Sequence, residues 1–128
     1  MPASSDLLSC PLIPVIVLHD ADDAVPLARA LLAGGVRALE ITLRSDAGLE
    51  SIRRVAGEMP EALVGAGTVT RPDEMQAVKA AGARFAFSPG WSPALSDAAR
   101  QQDIVFLPGV MTPSEVMAAA NRGHRAMK

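Results

Sequence analysis

The feature that most constrains this chain of 128 residues is a regular alternation of short apolar runs with alanine-rich segments of helical period. The runs are rich in Val, Ile, Leu and Phe, and they begin about every 20–25 residues, the length of one compact strand–helix unit. They predict a strand followed by a helix, five times over. The predicted strands are Pro14–Leu18, Ala38–Arg44, Leu63–Val69, Arg84–Ser88 and Ile104–Pro108, with a sixth beginning at Ala126.

Helix start and stop signals separate these runs. The segment Asp22–Leu32 carries an apolar stripe of helical spacing and ends before Gly34 and Gly35, which tolerate the left-handed conformation. Ser45 or Asp46 is the predicted cap of the second helix. Later helices have their own signals, with Pro near the start, a capping-box spacing or a terminal Gly. These signals are Arg71-Pro72, Gly82, Ser92-Pro93, Thr112-Pro113-Ser114-Glu115 and Gly123.

Strands that alternate with helices predict one α/β domain over residues 1–128 with a parallel sheet. Such a sheet is either an open doubly wound sheet or part of a (β/α)8 barrel, and periodicity alone does not separate the two. The first strand-to-helix turn, Leu18-His19-Asp20-Ala21, lacks the G-x-G-x-x-G pattern. That absence disfavours a dinucleotide-binding fold.

Composition excludes several classes of function. The net charge is −2, no block of Lys and Arg occurs, and aromatic residues make up 3% of the chain, so we expect no nucleic-acid partner. One cysteine and two scattered histidines cannot form a disulfide or a structural zinc site, so His19 and His124 are interpreted as surface or packing residues. No apolar run approaches the ~20 residues of a membrane span, and we expect a cytoplasmic protein without a membrane partner.

The second predicted strand carries the strongest chemical signal. Side chains alternate between the faces of a strand, so Leu39, Ile41 and Leu43 lie on one face, suited to packing against helices. The other face, which is the interior in a barrel, carries Glu40, Thr42 and Arg44. Charged groups there are costly unless they are paired or used. Arg44 lies at the carboxyl end of the strand, where barrel enzymes place their sites. A structural Glu–Arg interaction and a sheet with one solvent-exposed face are the alternatives.

Weaker signals follow the next strands. The third strand ends in Gly65-Ala66-Gly67-Thr68-Val69, whose small residues permit close approach. By alternation Thr68 points to the same side as Val64 and Ala66. Pro-Gly pairs at 89–90 and 108–109 predict either a tight rim or ordinary turns. Lys128 alone carries no information.

Together these segments resemble the 2-keto-3-deoxy-6-phosphogluconate (KDPG) aldolase family, which includes enzymes acting on 4-hydroxy-2-oxoglutarate. Four segments carry the resemblance, in order and at matching spacing: residues 15–18, 34–44, 65–69 and 87–90. The resemblance implies a (β/α)8 TIM barrel, of which this chain holds the first five βα units and the start of strand six. It also implies a homotrimer and a Schiff-base mechanism without metal or cofactor.

Specific roles follow from the resemblance. Lys128 corresponds to the lysine that forms the Schiff base and Glu40 to the general acid and base. Arg44 and Thr68 correspond to residues that hold the pyruvate carboxylate, and Pro89 lies on the pocket rim with no assigned chemical role. The implied reaction cleaves KDPG, a small 2-keto acid, to pyruvate and glyceraldehyde 3-phosphate.

The family's chain extends beyond Lys128, and its phosphate-binding loops follow strands seven and eight. We therefore expect little or no aldolase activity from the isolated chain, as for a truncated fragment. Three alternatives remain open. They are an aldolase for 4-hydroxy-2-oxoglutarate or a related 2-keto-3-deoxy sugar acid, a non-catalytic remnant that only associates with other chains, and a nucleotide-binding doubly wound domain.

Overall fold

The structure, a computed structural model, describes the backbone of residues 2–128 and the side chains of residues 5–128. Strands and helices alternate as predicted. The strands are β1 (Val15–Ile16), β2 (Ala38–Thr42), β3 (Leu63–Gly67), β4 (Phe85–Phe87) and β5 (Val105–Leu107). The helices are α1 (Pro2–Leu8), α2 (Ala24–Ala33), α3 (Gly48–Glu58), α4 (Pro72–Ala80), α5 (Pro93–Gln101) and α6 (Pro113–Asn121), with a 3-10 turn at Ala21–Asp23 before α2.

The order of the strands decides between the two predicted architectures. All five strands are parallel and lie side by side in chain order, β1-β2-β3-β4-β5. A doubly wound sheet reverses its strand order at a switch point, whereas a (β/α)8 barrel adds each strand beside the previous one. The five units therefore form part of a barrel, which confirms the predicted fold class. The doubly wound nucleotide-binding alternative is wrong.

The two faces of the sheet carry different residues. Leu39 and Ile41 of β2, Val64 and Ala66 of β3 and Phe106 of β5 join the main apolar core, into which the helices pack. The packing residues of α2 to α5 are Ala24, Ala28, Ile52, Val55, Met75, Val78, Leu95, Ala98 and Ala99. We call this side the outer face. The predicted alternation of β2 is confirmed, because Leu39 and Ile41 face the helices.

The opposite side, which we call the inner face, has a smaller apolar cluster. Ala38, Leu63 and Phe85 begin β2, β3 and β4, and they cluster with Phe87 and with Leu7 of α1. Leu7 has no exposed surface. Helix α1, which the sequence did not predict, therefore covers the amino-terminal end of the inner face. The carboxyl-terminal end of that face remains for polar residues.

The strands end earlier than predicted at this carboxyl-terminal edge. β2 ends at Thr42 rather than Arg44, and β3 ends at Gly67 rather than Val69. Residues 126–128 form no regular strand. Even so, the Lys128 amide donates to the Pro108 carbonyl, and the Lys128 carbonyl accepts from the Val110 amide, both at 2.9 Å. These two bonds are parallel pairing beside β5, as a sixth strand requires.

Most helix signals are confirmed. Thr112 Oγ1 accepts from the Glu115 amide at 3.2 Å, Glu115 accepts from the Thr112 amide at 3.2 Å, and Ser92 caps α5. The predicted cap of α3 by Ser45 or Asp46 is wrong. Ser45 donates instead to the Leu18 carbonyl, so its hydroxyl joins the segments that follow β1 and β2. The helix starts later, after Ala47.

Candidate active site

Glu40 supplies a carboxylate deep in the inner face. It lies in the middle of β2, opposite Gly65 in the register with β3, and is 2% exposed. Gly67, one inner-face position further along β3, leaves the space that the Glu40 side chain fills, because a Cβ added to Gly67 would collide with the carboxyl group. A carboxylate this buried is costly unless a partner compensates it. Its surroundings therefore determine what Glu40 does.

That partner is Lys128. Its Nζ lies 3.4 Å from Glu40 Oε1, although the two residues are 88 positions apart in the chain. The Glu40 side chain is 3% exposed and the Lys128 side chain 49%, so the pair joins a buried carboxylate to an amine open to solvent. Parallel pairing with β5 delivers Lys128 to this edge of the sheet. The predicted acid and amine thus meet on the inner face.

Arg44 and Thr68 form a second pair beside the first. Arg44 Nε donates to Thr68 Oγ1 at 3.1 Å across the loops that follow β2 and β3. Arg44 is exposed and Thr68 is half-buried. Thr68 directly follows Gly67, which contacts Glu40, and Arg44 lies four residues after Glu40. All four predicted residues are therefore at one edge of the sheet.

The alternation argument for Thr68 was wrong. It placed Thr68 with Val64 and Ala66, which lie in the outer core. In the structure β3 ends at Gly67, and Thr68 has φ of +60°. This left-handed conformation, uncommon for a β-branched residue, turns the hydroxyl toward Arg44. Backbone strain of this kind clusters at functional sites.

The two Pro-Gly pairs form a close contact at the same edge. A Cβ on Gly109 would collide with the carbonyl groups of Pro89 and Ser88, so the loops after β4 and β5 touch backbone to backbone. Pro89 and Gly90 are exposed, and Gly109 is buried. The close contact between the two loops therefore requires a glycine at position 109. It does not require one at position 90, where an added Cβ would meet no atom within 4 Å.

Phe87 is a site residue that the sequence reasoning missed. Lys128 Nζ lies 5.5 Å from the centroid of the Phe87 ring, and that ring lies 5.0 Å from Phe85. Phe87 is 6% exposed. The same alternation that identified Glu40 would have placed Phe85 and Phe87 on the inner face of β4. The two rings form an apolar floor beneath the amine.

The described part of the chain holds no group of three or more His, Cys, Asp and Glu side chains arranged to bind a metal. Nor does any helix within residues 2–128 have the length and apolar character that crossing a membrane needs.

Comparisons with known proteins identify the family of the chain. The family model described as KDPG and KHG aldolase matches residues 4–128. The 2-dehydro-3-deoxy-phosphogluconate aldolase of Dickeya dadantii (strain 3937) is 48% identical over 126 residues, and the KHG/KDPG aldolase of Escherichia coli (strain K12) is 47% identical. Each alignment covers 98% of this chain and 59% of the relative.

A solved structure gives the same result. The KDPG aldolase of Legionella pneumophila, with pyruvate captured as a covalent carbinolamine intermediate, superposes with a TM-score of 0.92 at 40% identity. The match covers 99% of this chain and 61% of that one. The chain thus spans about three fifths of the length of the proteins it matches. From the family model, the relatives and the shared fold, the chain belongs to the KDPG and KHG aldolase family.

Proposed function

We propose that this chain carries the pyruvate-binding half of a class I aldolase that cleaves KDPG to pyruvate and glyceraldehyde 3-phosphate. The observation that carries the proposal is the 3.4 Å contact between Lys128 Nζ and the buried carboxylate of Glu40. In this proposal Lys128 forms the Schiff base, and Glu40 moves the protons.

The chemistry needs an amine and a base in contact. The unprotonated amine attacks the C2 carbonyl of the keto acid, and loss of water from the carbinolamine gives an iminium ion. The C3–C4 bond then breaks as the C4 hydroxyl gives up its proton, which releases the aldehyde and leaves an enamine. Protonation at C3 and hydrolysis release pyruvate and restore the amine. Glu40 is the carboxylate within reach of these proton transfers.

Arg44 and Thr68 suit the carboxylate of the keto acid. Their mutual bond engages only Nε of Arg44, so both terminal nitrogens keep their N–H donors. A guanidinium presents such donors in a planar fork that matches a carboxylate. Thr68 fixes the orientation of this fork. The exposure of Arg44 leaves the approach open to a small acid.

The relatives support the same reading. Those from Dickeya dadantii and Escherichia coli are named for KDPG, or for KHG and KDPG together. The Legionella pneumophila enzyme holds pyruvate as a covalent carbinolamine. A covalent carbinolamine with pyruvate is the intermediate that the pair of Lys128 and Glu40 is proposed to form.

Borohydride trapping tests the proposal directly, because the chain has only two lysines, Lys79 and Lys128. Lys79 Nζ donates to the Asp103 carbonyl at 2.8 Å, well away from the inner face. Incubation with pyruvate and borohydride should add one reduced pyruvyl group at Lys128, located by peptide mass. The matched control Lys79→Arg should trap as well as the wild type, and Lys128→Arg should not.

Glu40→Gln separates the two proposed roles. This variant keeps the shape of the side chain but cannot accept a proton as a carboxylate does, so trapping should slow by roughly 100-fold, within the usual range for general acid–base groups. If trapping occurs at Lys79 or the amino terminus, or if neither Glu40→Gln nor Lys128→Arg changes it, the chain is better described as a non-catalytic remnant.

The second candidate substrate is 4-hydroxy-2-oxoglutarate, because the matched family covers both KDPG and KHG. Cleavage of either acid passes through the same pyruvate half, for which the four site residues are proposed. Assaying pyruvate release from both acids under identical conditions, with a protein that carries this sequence at the family's full length, decides between them, and KDPG is expected to be the better substrate.

We also infer a homotrimer in the cytoplasm, as the family resemblance implies. Light scattering coupled to size exclusion tests the trimer, and a monomer or dimer contradicts it. Cell fractionation tests the location.

A further inference from the structure

A chain of hydrogen bonds outside the site links helix α5 to the segment that leads to Lys128. Trp91 Nε1 donates to Ser96 Oγ at 3.0 Å, and Ser96 Oγ lies 2.8 Å from His124 Nε2. Ser96 is 3% exposed. Trp91 belongs to the rim loop that follows Pro89 and Gly90. These hydrogen bonds therefore join the rim loop, helix α5 and the segment before Lys128.

His124 is also held by its ring and its backbone. The ring meets Phe106 of β5 edge-on, with centroids 5.6 Å apart and planes at 80°. Its amide donates to the Ala119 carbonyl at 3.2 Å, after Gly123 has turned the chain with φ of +92°. His124 is thus fixed against α5, β5 and the end of α6 together.

Two of the hydrogen-bond directions at Ser96 are fixed. The indole N–H of Trp91 can only donate, so Ser96 accepts from it, and the Ser96 hydroxyl donates to the Ser92 carbonyl at 3.3 Å. The tautomer of the His124 ring sets which partner donates in the 2.8 Å bond between Ser96 Oγ and Nε2. Burial, and then the positive charge of Arg100, lower the pKa of His124, which favours the neutral ring.

The segment between His124 and Lys128 has no polar side-chain anchor among the described residues. Arg125 is exposed and forms no side-chain hydrogen bond or ion pair within residues 5–128, and Ala126 and Met127 are apolar and half-buried. An extended chain of four residues spans about 13 Å. Its two ends are held by the His124 side chain and by the backbone pairing of Lys128 with Pro108 and Val110.

We propose that His124 is a positioning residue, whose contacts with Ser96 and Phe106 fix the segment that delivers the Lys128 amine to Glu40. The catalytic importance of this positioning rests on the proposed function of Lys128. The effect of His124 on the backbone pairing of Lys128 is independent of that function, because it concerns only how firmly the segment is held. His124 touches no reacting atom and acts through the chain that follows it.

Amide hydrogen exchange, measured by NMR on the whole chain, reports this effect without any catalysis. The bonds donated by the amides of Lys128 and Val110 are the pairing to be tested. His124→Leu removes the hydrogen bond to Ser96, and exchange at both amides should rise about fivefold, the effect of losing one ordinary hydrogen bond. His124→Gln places an amide group, which can donate or accept, at a similar reach and should keep exchange within about twofold of the wild type.

Two serine variants form a matched pair of controls. Ser96→Ala removes the hydroxyl that bonds to His124, whereas Ser51→Ala removes an equally buried hydroxyl that has no hydrogen-bond partner within residues 5–128. Only Ser96→Ala should accelerate amide hydrogen exchange at Lys128 and Val110. The Leu43 amide, which bonds to Gly67 on the far side of the site, serves as the reference within each variant.

The outcomes separate the inference from the proposed function. Unchanged amide exchange at Lys128 and Val110 in both His124→Leu and Ser96→Ala overturns the inference. Exchange that rises equally at the Leu43 amide also overturns it, and so does exchange in His124→Gln that is as fast as in His124→Leu. Trapping of pyruvate should slow about fivefold in His124→Leu and recover in His124→Gln. If the wild type traps no pyruvate while the exchange pattern holds, the proposed function fails and the anchoring of the segment stands.

Discussion

Replacing Gly67 with alanine tests whether the tight fit around Glu40 maintains the site. A Cβ at this position would lie 2.8 Å from Glu40 Cγ and 2.9 Å from its carboxyl carbon. Carbon atoms in contact are normally about 3.5 Å apart or more, so the overlap is about 0.6–0.7 Å. Because Glu40 is 2% exposed, its carboxyl group must shift by about that distance, or the strands must separate.

This overlap sets the expected magnitudes. Overpacking of a buried site costs roughly 1–3 kcal/mol of the free energy of unfolding. The shift also changes the position of the carboxylate relative to Lys128 Nζ, and misplacing a catalytic group by about 1 Å can reduce a rate by roughly 100-fold. Urea denaturation measures the first effect. The rate of borohydride trapping of pyruvate at Lys128 measures the second.

Gly57 supplies the matched control for the same chemical change. It lies within α3, and a Cβ there would meet no atom within 4 Å. Gly57→Ala should stabilise the protein by about 0.5–1 kcal/mol through helix propensity and leave trapping unchanged. Shortening Glu40 to aspartate in the Gly67→Ala background should restore part of the stability, as a non-additive pair. If Gly67→Ala retains wild-type stability and trapping, the packing argument for Glu40 is wrong.

Three other perturbations address separate parts of the molecule. Arg44→Lys keeps the charge but loses the planar fork and the 3.1 Å bond to Thr68, so half-maximal trapping should need roughly tenfold more pyruvate, and an unchanged requirement contradicts the carboxylate role. Thr112→Ala removes the acceptor for the Glu115 amide and should lower the free energy of unfolding by about 1 kcal/mol in urea melts. Burial and Arg100 lower the pKa of His124 in the folded state, so the unfolded chain binds a proton at this residue more readily than the folded chain does. The contribution of His124 to the free energy of unfolding is therefore complete above pH ~6.5 and declines as the pH falls below that value. Urea melts between pH 5 and 8 should show this decline in the wild type and not in His124→Gln, and an equal decline in both contradicts the assignment.

Local periodicity was enough to predict the five strand–helix units, because each strand and each helix cap is set by a few neighbouring residues. The capping box of Thr112 and Glu115 and the alternation of β2 are examples. Periodicity could not choose between a barrel and a doubly wound sheet, and only the family resemblance implied the barrel. The choice depends on which strands pair across the sheet, and the composition of a strand does not encode its neighbour.

The site shows the same boundary between local and long-range information. Alternation placed Glu40 on the inner face correctly because β2 is regular there. It failed for Thr68, whose φ of +60° ends the alternation at Gly67. Phe87 was within reach of the same argument, but its proximity to Lys128 depends on how the chain returns beside β5 after α6. Helix α1 was missed because its only described buried side chain is Leu7.

Exchange of the methyl hydrogens of pyruvate in deuterated water tests the central claim most directly, because it needs both an iminium at Lys128 and a base in contact with it. Proton NMR of pyruvate should show exchange catalysed by the wild-type chain and by Lys79→Arg, and almost none with Lys128→Arg or Glu40→Gln. Exchange at the wild-type rate in Glu40→Gln, or in Lys128→Arg, would contradict the account.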